Sequence, residues 1–117
     1  MTPNEYQDAA LRTASDHMYP TPHENMLLEG VLGLCGESGE AADLVKKVIF
    51  QGHPLDKTKI AEELGDAAWY LAVTAHAIGY EFDTILQMNI NKLRNRYPDG
   101  FDPQRSINRQ EFEGGTT

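Results

Sequence analysis

Two acidic pairs in this sequence have the residue types and the spacing of metal ligands. Glu37 and Glu40 are three residues apart, and so are Glu63 and Asp66. Residues three apart lie on one side of a helix, so the oxygens of each pair can reach one ion. Oxygen ligands without histidine or thiol suit a hard cation, Mg²⁺ or Mn²⁺, which shares its remaining coordination positions with water and phosphate oxygens. The spacing therefore predicts metal-assisted phosphate chemistry.

Glycines accompany both acidic pairs at positions where a helix would favour alanine. Gly36, Gly39 and Gly65 each cost about 0.5–1 kcal/mol of helix stability relative to alanine. Two explanations stay open: the missing side chains keep room for a bulky group beside the carboxylates, or they let two helices pack closely. A solvated acidic face would explain either pair alone. Both pairs together, each beside glycine, favour a site.

The elements that must position these acids are helices, because helix start and stop signals recur along the chain. A capping residue followed by proline or by an acid opens a helix, and glycine or proline ends one. The first predicted helix opens at Thr2 and runs to about Asp16, the second opens at Thr21 and stops at Gly52, the third is capped by Asp56 and reaches Gly79, and the fourth is capped by Asp83 and ends before Pro98.

No sustained alternation of apolar and polar residues marks a strand in this sequence, so we expect no sheet. A length of 117 residues suits one domain with one core. The predicted fold is therefore all-α: a four-helix, bundle-like single domain over residues 1–112. The chain turns polar and rich in glycine and proline from about residue 98, which predicts an irregular segment, and residues 113–117 are expected to be a disordered tail.

Helical-wheel positions predict that the two acidic pairs meet. The predicted apolar stripes comprise Val31, Leu34 and Val45 on the second helix and Ile60, Leu64 and Leu71 on the third. On each wheel the acidic pair falls to the same side of its stripe, so antiparallel packing would bring four carboxylates to one cleft. Like charges at that range repel and raise one another's pKa, a conflict that a bound cation resolves.

The third helix is apolar on every side of its C-terminal half, where no residue between Ala67 and Ile78 is formally charged apart from His76. A helix of this kind needs cover all round. In a small domain a second subunit supplies such cover, which predicts a homo-oligomer with this helix near its centre. Trp69 could stack on a base, but its position on the wheel opposite the apolar stripe favours the subunit interface, whereas Tyr70, one turn beyond Asp66, is expected to line the cleft.

The fourth helix carries polar and basic residues at helical spacing. Asn89, Lys92 and Arg96 follow one another at intervals of three and four, which places them on one side of the helix. Lysine as a point charge and arginine as a planar fork are suited to phosphate. The alternative is an exposed basic face that pairs with acidic surface residues.

Composition narrows the classes of partner. A net charge of −8 repels the phosphate backbone of DNA or RNA, so we expect no nucleic-acid polymer as partner. The single cysteine, Cys35, and the absence of a long apolar run indicate a reducing, cytoplasmic location without membrane insertion. A ferritin-like di-iron site requires glutamate followed three residues later by histidine, a spacing that is absent, and the four histidines are interpreted as surface residues.

The acidic motifs, taken with a third segment, resemble the MazG-type nucleoside triphosphate pyrophosphohydrolases. The matching stretches are Glu37-Ser-Gly-Glu40, Glu63-Leu-Gly-Asp66-Ala-Ala-Trp-Tyr-Leu about two dozen residues later, and Lys92-Leu-Arg-Asn-Arg96-Tyr-Pro. The similarity extends roughly over residues 27–109. It implies an all-α enzyme, assembled as a dimer or a dimer of dimers, that hydrolyses a nucleoside triphosphate between its α and β phosphates.

The resemblance also implies roles for individual residues. Glu37, Glu40, Glu63 and Asp66 would be Mg²⁺ ligands, Lys92 and Arg96 phosphate contacts, and Asn89 a further substrate contact. Metal-activated water would attack the α-phosphorus, with Glu37, Glu40 or Glu63 taking its proton. Glu62 would support the ligands or face solvent. Two other hypotheses stay open: a non-catalytic helical oligomer that binds nucleotides or a protein, and a purely structural bundle.

Overall fold

A computed structural model of the protein describes residues 1–14 and 22–109, and the regular structure in those ranges is helical throughout. The all-α prediction is confirmed. Thr21, predicted to open the second helix, and the predicted tail 113–117 lie outside the described residues. The five described helices are α1 (Pro3–Leu11), α2 (Pro22–Gln51), α3 (Lys57–Ala77), α4 (Phe82–Arg96) and α5 (Pro103–Ile107).

Side-chain caps and glycines set most helix boundaries as predicted. Thr2 Oγ1 accepts a hydrogen bond from the Glu5 backbone N–H at 3.1 Å, and the Asp56 carboxylate accepts one from Lys59 N–H at 3.1 Å. Gly52 and Gly79 follow α2 and α3 with φ of 69° and 82°, values that glycine adopts without the penalty of a Cβ. Among the helices in the described ranges, none is long and apolar enough to cross a membrane.

The first helix is shorter than predicted and ends at Leu11 instead of about Asp16. The Ala10 carbonyl accepts hydrogen bonds from the Thr13 hydroxyl and from the Trp69 indole N–H, and the backbone N–H groups of residues 12–14 bond three residues back. A threonine hydroxyl and a side chain from another helix thus compete for the carbonyl that a further helical turn would use.

The chain divides into two compact units, residues 1–82 and residues 83–117. In the first unit α2 and α3 pack against each other along their lengths, and α1 packs against α3. The loop of residues 52–56 joins α2 to α3, so the two helices run antiparallel as a helical hairpin. This hairpin positions the acidic pairs.

Two glycines that the sequence analysis did not single out set the spacing of the hairpin. A Cβ on Gly30 would overlap the Thr74 side chain, and a Cβ on Gly33 would overlap the Tyr70 ring. Both residues lie on α2 one turn apart, so the backbone of α2 approaches α3 closely along this stretch. No neighbouring atom lies within 4 Å of a Cβ built on Gly36.

A buried glutamine fixes α1 to the C-terminal half of α3. The Gln7 side-chain amide donates to the carbonyls of Ala72 and Tyr80 at 3.2 and 3.0 Å, and its oxygen accepts from the Phe82 backbone N–H at 3.0 Å. All the strong hydrogen-bonding groups of this side chain are therefore satisfied, as burial requires. The small core around it contains Ala10, Ala72 and Phe82.

Two predictions about α3 are wrong. Leu64 and Leu71, expected in a buried stripe, are 62% and 43% exposed, and the buried residues of α3 are instead Ala72, Val73 and Ala75. Trp69, expected at a subunit interface, packs against the core beneath α1 and donates to Ala10 O and Thr13 Oγ1. The cause is α1, whose packing side on α3 cannot be read from the periodicity of α3 alone.

The second unit contains α4 and a short helix in the segment that was predicted to be irregular. The Asp102 carboxylate caps α5 by accepting from the Gln104 N–H at 2.9 Å, and Pro103 follows the cap. Arg105 on α5 donates to the Arg96 and Asn95 carbonyls at the end of α4. These bonds satisfy carbonyls that the end of a helix leaves open.

The close approach at Gly33 predicts a difference in stability between two glycine-to-alanine variants. Gly36→Ala, in open space, should be neutral or should stabilise by up to about 1 kcal/mol through helix propensity. Gly33→Ala forces the Tyr70 ring to move, and overpacking of this kind costs about 1–3 kcal/mol. Urea unfolding of metal-free protein measures both variants. A Gly33→Ala variant at least as stable as Gly36→Ala would contradict the described packing.

Candidate functional site

The helical hairpin brings the four predicted acids together in the first unit. Carboxylate oxygens of Glu37, Glu63 and Asp66 all lie within 4.8 Å of one another. Glu40 joins this group through hydrogen bonds with Glu63 and Glu37. We refer to these four residues as the carboxylate cluster. This geometry agrees with the prediction that α2 and α3 present their acids to one cleft.

Two oxygens of the carboxylate cluster are shielded from solvent. Glu37 Oε2 and Glu63 Oε2 are buried, and within the described part of the chain they meet no hydrogen-bond donor. A buried carboxylate oxygen without a donor is costly. A hard cation would compensate both oxygens, and the all-oxygen set of ligands suits Mg²⁺ or Mn²⁺. The residues present therefore fit a divalent ion.

Protons compete with a cation for this cluster. A hydrogen bond with Glu63 raises the pKa of Glu40 above its usual value, and the Glu63 charge and burial add to the effect. The pKa of Glu63 is raised in turn, chiefly by its hydrogen bond with Glu37. A proton shared between two carboxyl groups removes the repulsion that both charges would cause. Binding of a cation must displace such protons.

One turn further along α2, an acidic residue is paired with two basic residues. Asp43 lies 2.9 Å from both Lys46 Nζ and Lys47 Nζ. Its hydrogen bonds with Lys46 and Lys47 lower the pKa of Asp43 to about 2. Asp43 therefore has its counter-charges within the protein, whereas the described residues place no ion pair at the carboxylate cluster.

A pocket of about 370 Å³ opens beside the carboxylate cluster. Two cluster residues, Glu37 and Asp66, line it together with Glu29, Trp69 and Tyr70. The position of Tyr70 agrees with the prediction that it lines the cleft. Glu29 was missed, although it precedes Glu37 by about two helical turns, because a single glutamate on a long helix is usually a solvated residue.

Tyr6 is a second residue that the sequence did not reveal. Its hydroxyl lies 3.5 Å from the Gly65 carbonyl, to which it donates. Burial raises the pKa of Tyr6, and the charge of the nearby Asp66 raises it further. The tyrosine therefore borders the carboxylate cluster from α1, and only the packing of α1 on α3 brings it there.

The glycines beside the acids do not serve close helix packing. A Cβ built on Gly36, Gly39 or Gly65 meets no atom within 4 Å among the described residues. Of the two explanations left open by the sequence, open space beside the carboxylates therefore agrees with the structure. The glycines at which α2 packs closely against α3 are Gly30 and Gly33 instead.

The remaining predicted site residues lie outside the carboxylate cluster. Asn89, Lys92 and Arg96 lie on α4 in the second unit, whereas Glu62, expected either to support the ligands or to face solvent, is exposed on α3. Asn89 and Lys92 are exposed and Arg96 is half-buried. Their part in binding substrate stays a prediction.

Comparison with known proteins gives two matches. A family model described as MazG nucleotide pyrophosphohydrolase domain matches residues 25–101. The "Gene 37 protein" of Mycobacterium phage L5 is 35% identical over 103 residues, which cover 81% of this chain and 88% of that protein. No solved structure gives a significant match. The family match includes the whole carboxylate cluster and both Tyr70 and Lys92.

The raised pKa values predict how stability depends on pH and on metal. In metal-free protein the folded state holds protons on Glu40 and Glu63 at a pH where the unfolded chain has released them, so stability falls as pH rises above about 4.5 through the raised pKa values. Saturating Mg²⁺ should reduce this fall and raise Tm at pH 7. Thermal melts from pH 4.5 to 7.5, with EDTA or Mg²⁺, measure the effect.

Glu40→Gln provides the comparison for this prediction, because it removes one titrating group from the cluster. Its metal-free Tm should fall less steeply with pH than that of the wild type. Equal slopes in EDTA and Mg²⁺ for the wild type would contradict the displacement of cluster protons by the ion.

Proposed function

Because the chain belongs to the MazG nucleotide pyrophosphohydrolase family, we propose that it hydrolyses a nucleoside triphosphate, ribo or deoxyribo, to the monophosphate and pyrophosphate with the help of Mg²⁺. The observation that carries this proposal is the convergence of Glu37, Glu63 and Asp66 within 4.8 Å. Two cluster oxygens, buried without a donor, add support, because a cation is what this arrangement lacks. A cation also makes a polyanionic substrate acceptable to an acidic protein.

The proposed ligand set is the whole carboxylate cluster. Glu37, Glu63 and Asp66 would hold the ion, and Glu40 would complete the set from the next turn of α2. When bound, Mg²⁺ or Mn²⁺ would neutralise phosphate charge and make water a stronger nucleophile at neutral pH. The helical hairpin fixes the four side chains in advance, so little reorganisation accompanies substrate binding.

The proposed reaction is a displacement at the α-phosphorus. A water oxygen forms a bond to that phosphorus, the bond from the α-phosphorus to the bridging oxygen breaks, and pyrophosphate leaves with the electron pair. The proton released by the water passes to a carboxylate, for which Glu37, Glu40 and Glu63 are the candidates. Glu40 is favoured, because it lies outside the group of three carboxylates whose oxygens converge most closely.

The proposed contacts to substrate beyond the metal rest on different grounds. Tyr70 lines the pocket beside the carboxylate cluster, which supports a contact with the nucleoside. Asn89, Lys92 and Arg96 are proposed as contacts on the basis of the sequence motif, with Lys92 and Arg96 binding phosphate oxygens.

We also propose that the protein is a homodimer or a dimer of dimers. The first unit exposes large apolar side chains that a monomer would leave in water: Leu32 is 68% exposed, Ile49 66%, Phe50 78% and Leu64 62%. Exposed apolar side chains grouped on two helices favour association. Two copies of one chain related by a two-fold axis are the commonest solution.

The proposed function predicts that purified protein with Mg²⁺ releases pyrophosphate from at least one nucleotide in a panel of common and modified NTPs and dNTPs. In water labelled with ¹⁸O, the label should enter the monophosphate, because attack occurs at the α-phosphorus. Mass spectrometry of both products measures this. Label in the pyrophosphate, or release of orthophosphate as first product, would contradict the proposed reaction.

Variants of the carboxylate cluster test the residues assigned to it. Glu40→Gln and Asp66→Asn should lower kcat/KM by about 100-fold or more, since each removes a negatively charged ligand. Glu62→Gln is the matched control, because it changes the same functional group at an exposed position next to the cluster. Activity kept by both cluster variants, with the fold intact, would rule out the ligand assignment.

The proposed assembly predicts that the wild type sediments as a dimer or a tetramer. Leu32→Glu should shift it towards monomer, because a charge would replace an exposed apolar side chain in the contact. Gln51→Glu adds the same charge at an exposed polar position and serves as the control. Sedimentation velocity over a hundredfold range of concentration measures the three proteins. A wild type that stays monomeric throughout would refute the assembly.

A further inference from the structure

The pocket beside the carboxylate cluster has a second end that the proposed chemistry does not use. Glu37 and Asp66 form one side of it, whereas Glu29, Trp69 and Tyr70 line the rest. Glu29 precedes Glu37 by eight residues, so the two lie about 12 Å apart along the axis of α2. A nucleotide held at its α-phosphate by the cluster would extend its base over a comparable distance.

The walls of this pocket are aromatic and held in place. The Trp69 and Tyr70 rings meet edge to face, with centroids 5.0 Å apart and an angle of 87° between planes. The Trp69 indole N–H is already bonded to Ala10 O and Thr13 Oγ1, so it offers no further donor. The Tyr70 ring lies against Gly33, where a Cβ would overlap it. Fixed aromatic walls suit a flat heterocycle.

Glu29 provides the polar group at this end of the pocket. It is half-buried, and no donor in the described ranges forms a hydrogen bond or an ion pair with it. An ionised carboxylate only accepts hydrogen bonds. At this end of the pocket, the Glu29 carboxylate repels an anionic group and favours a neutral group that carries N–H donors.

We propose that Glu29 determines base specificity by accepting a hydrogen bond from the exocyclic amino group of the nucleobase, so that a base with this group binds in preference to a matched base that lacks it. Cytosine, adenine and guanine carry such a group. Uracil and thymine present carbonyl oxygens in its place, which the carboxylate repels. Hypoxanthine lacks the 2-amino group of guanine. This inference rests on the proposed function, because it takes the nucleotide to be held by the carboxylate cluster.

The test compares two pairs of nucleotides, and in each pair one base carries an exocyclic amino group that the other lacks. The probes are the α,β-imido analogues of dCTP, dUTP, dGTP and dITP, in which an N–H replaces the oxygen of the bond proposed to break. Calorimetry with Mg²⁺ gives the Kd of each for wild type, Glu29→Gln, Glu29→Ala and the exposed control Glu62→Gln. Binding is measured without turnover, so specificity is separated from catalysis.

We expect the wild type and Glu62→Gln to bind the amino member of at least one pair about tenfold more tightly, the effect of one hydrogen bond to a charged group. Glu29→Ala should reduce that ratio to near one because it removes the acceptor, and Glu29→Gln should lower it because an amide oxygen is a weaker acceptor than a carboxylate and the amide N–H can also donate to a keto oxygen. Three results would overturn the inference. The wild type could bind both members of each pair equally, both Glu29 variants could keep the wild-type ratio of affinities, or no analogue could bind.

The same proteins assayed on the hydrolysable dNTPs keep the two claims apart. A wild type that binds with the expected preference and releases no pyrophosphate would contradict the proposed function and leave the role of Glu29 standing. A wild type that hydrolyses dCTP and dUTP, and dGTP and dITP, with equal kcat/KM and binds their analogues equally would contradict the role of Glu29 alone.

Discussion

Close contact between the backbone of α2 and the side chains of α3 is the constraint on which the rest of the site depends. Gly30 and Gly33 leave room for Thr74 and Tyr70, and an antiparallel hairpin with this spacing brings Glu37 to Asp66 and Glu40 to Glu63. The same contact places the Tyr70 ring as a wall of the pocket. A larger residue at Gly33 would therefore disturb both the helix packing and the site.

The hairpin holds together charges that repel one another, and this conflict links stability to function. Without a cation, protons held on Glu40 and Glu63 relieve the repulsion, and two buried oxygens have no donor within the described residues. Ion pairs between these acids and lysine, like those at Asp43, would stabilise the folded protein. Leaving the cluster unpaired costs stability, and it keeps an acidic group that could bind a divalent ion.

The sequence predicted those features that depend on local patterns. Most helix boundaries were predicted from the caps at Thr2 and Asp56 and from the glycines at 52 and 79. The carboxylate cluster was predicted from the spacing of its acids, because helical periodicity fixes which side chains share a face. The contribution of α1 could not be predicted, since nothing local to Tyr6, Gln7 or Trp69 states which helix they pack against. For the same reason Trp69 was wrongly assigned to an interface, and Glu29 was missed because its significance comes from the pocket and not from its neighbours in sequence.

The most direct test of the central claim is anomalous diffraction from crystals of the protein soaked in Mn²⁺, which replaces Mg²⁺ at oxygen sites and scatters anomalously. The account predicts a peak within roughly 2.0–2.3 Å of carboxylate oxygens of Glu37, Glu63 and Asp66, and its loss in Asp66→Asn crystals. An ordered carboxylate cluster without an anomalous peak, at saturating Mn²⁺ and neutral pH, would contradict it.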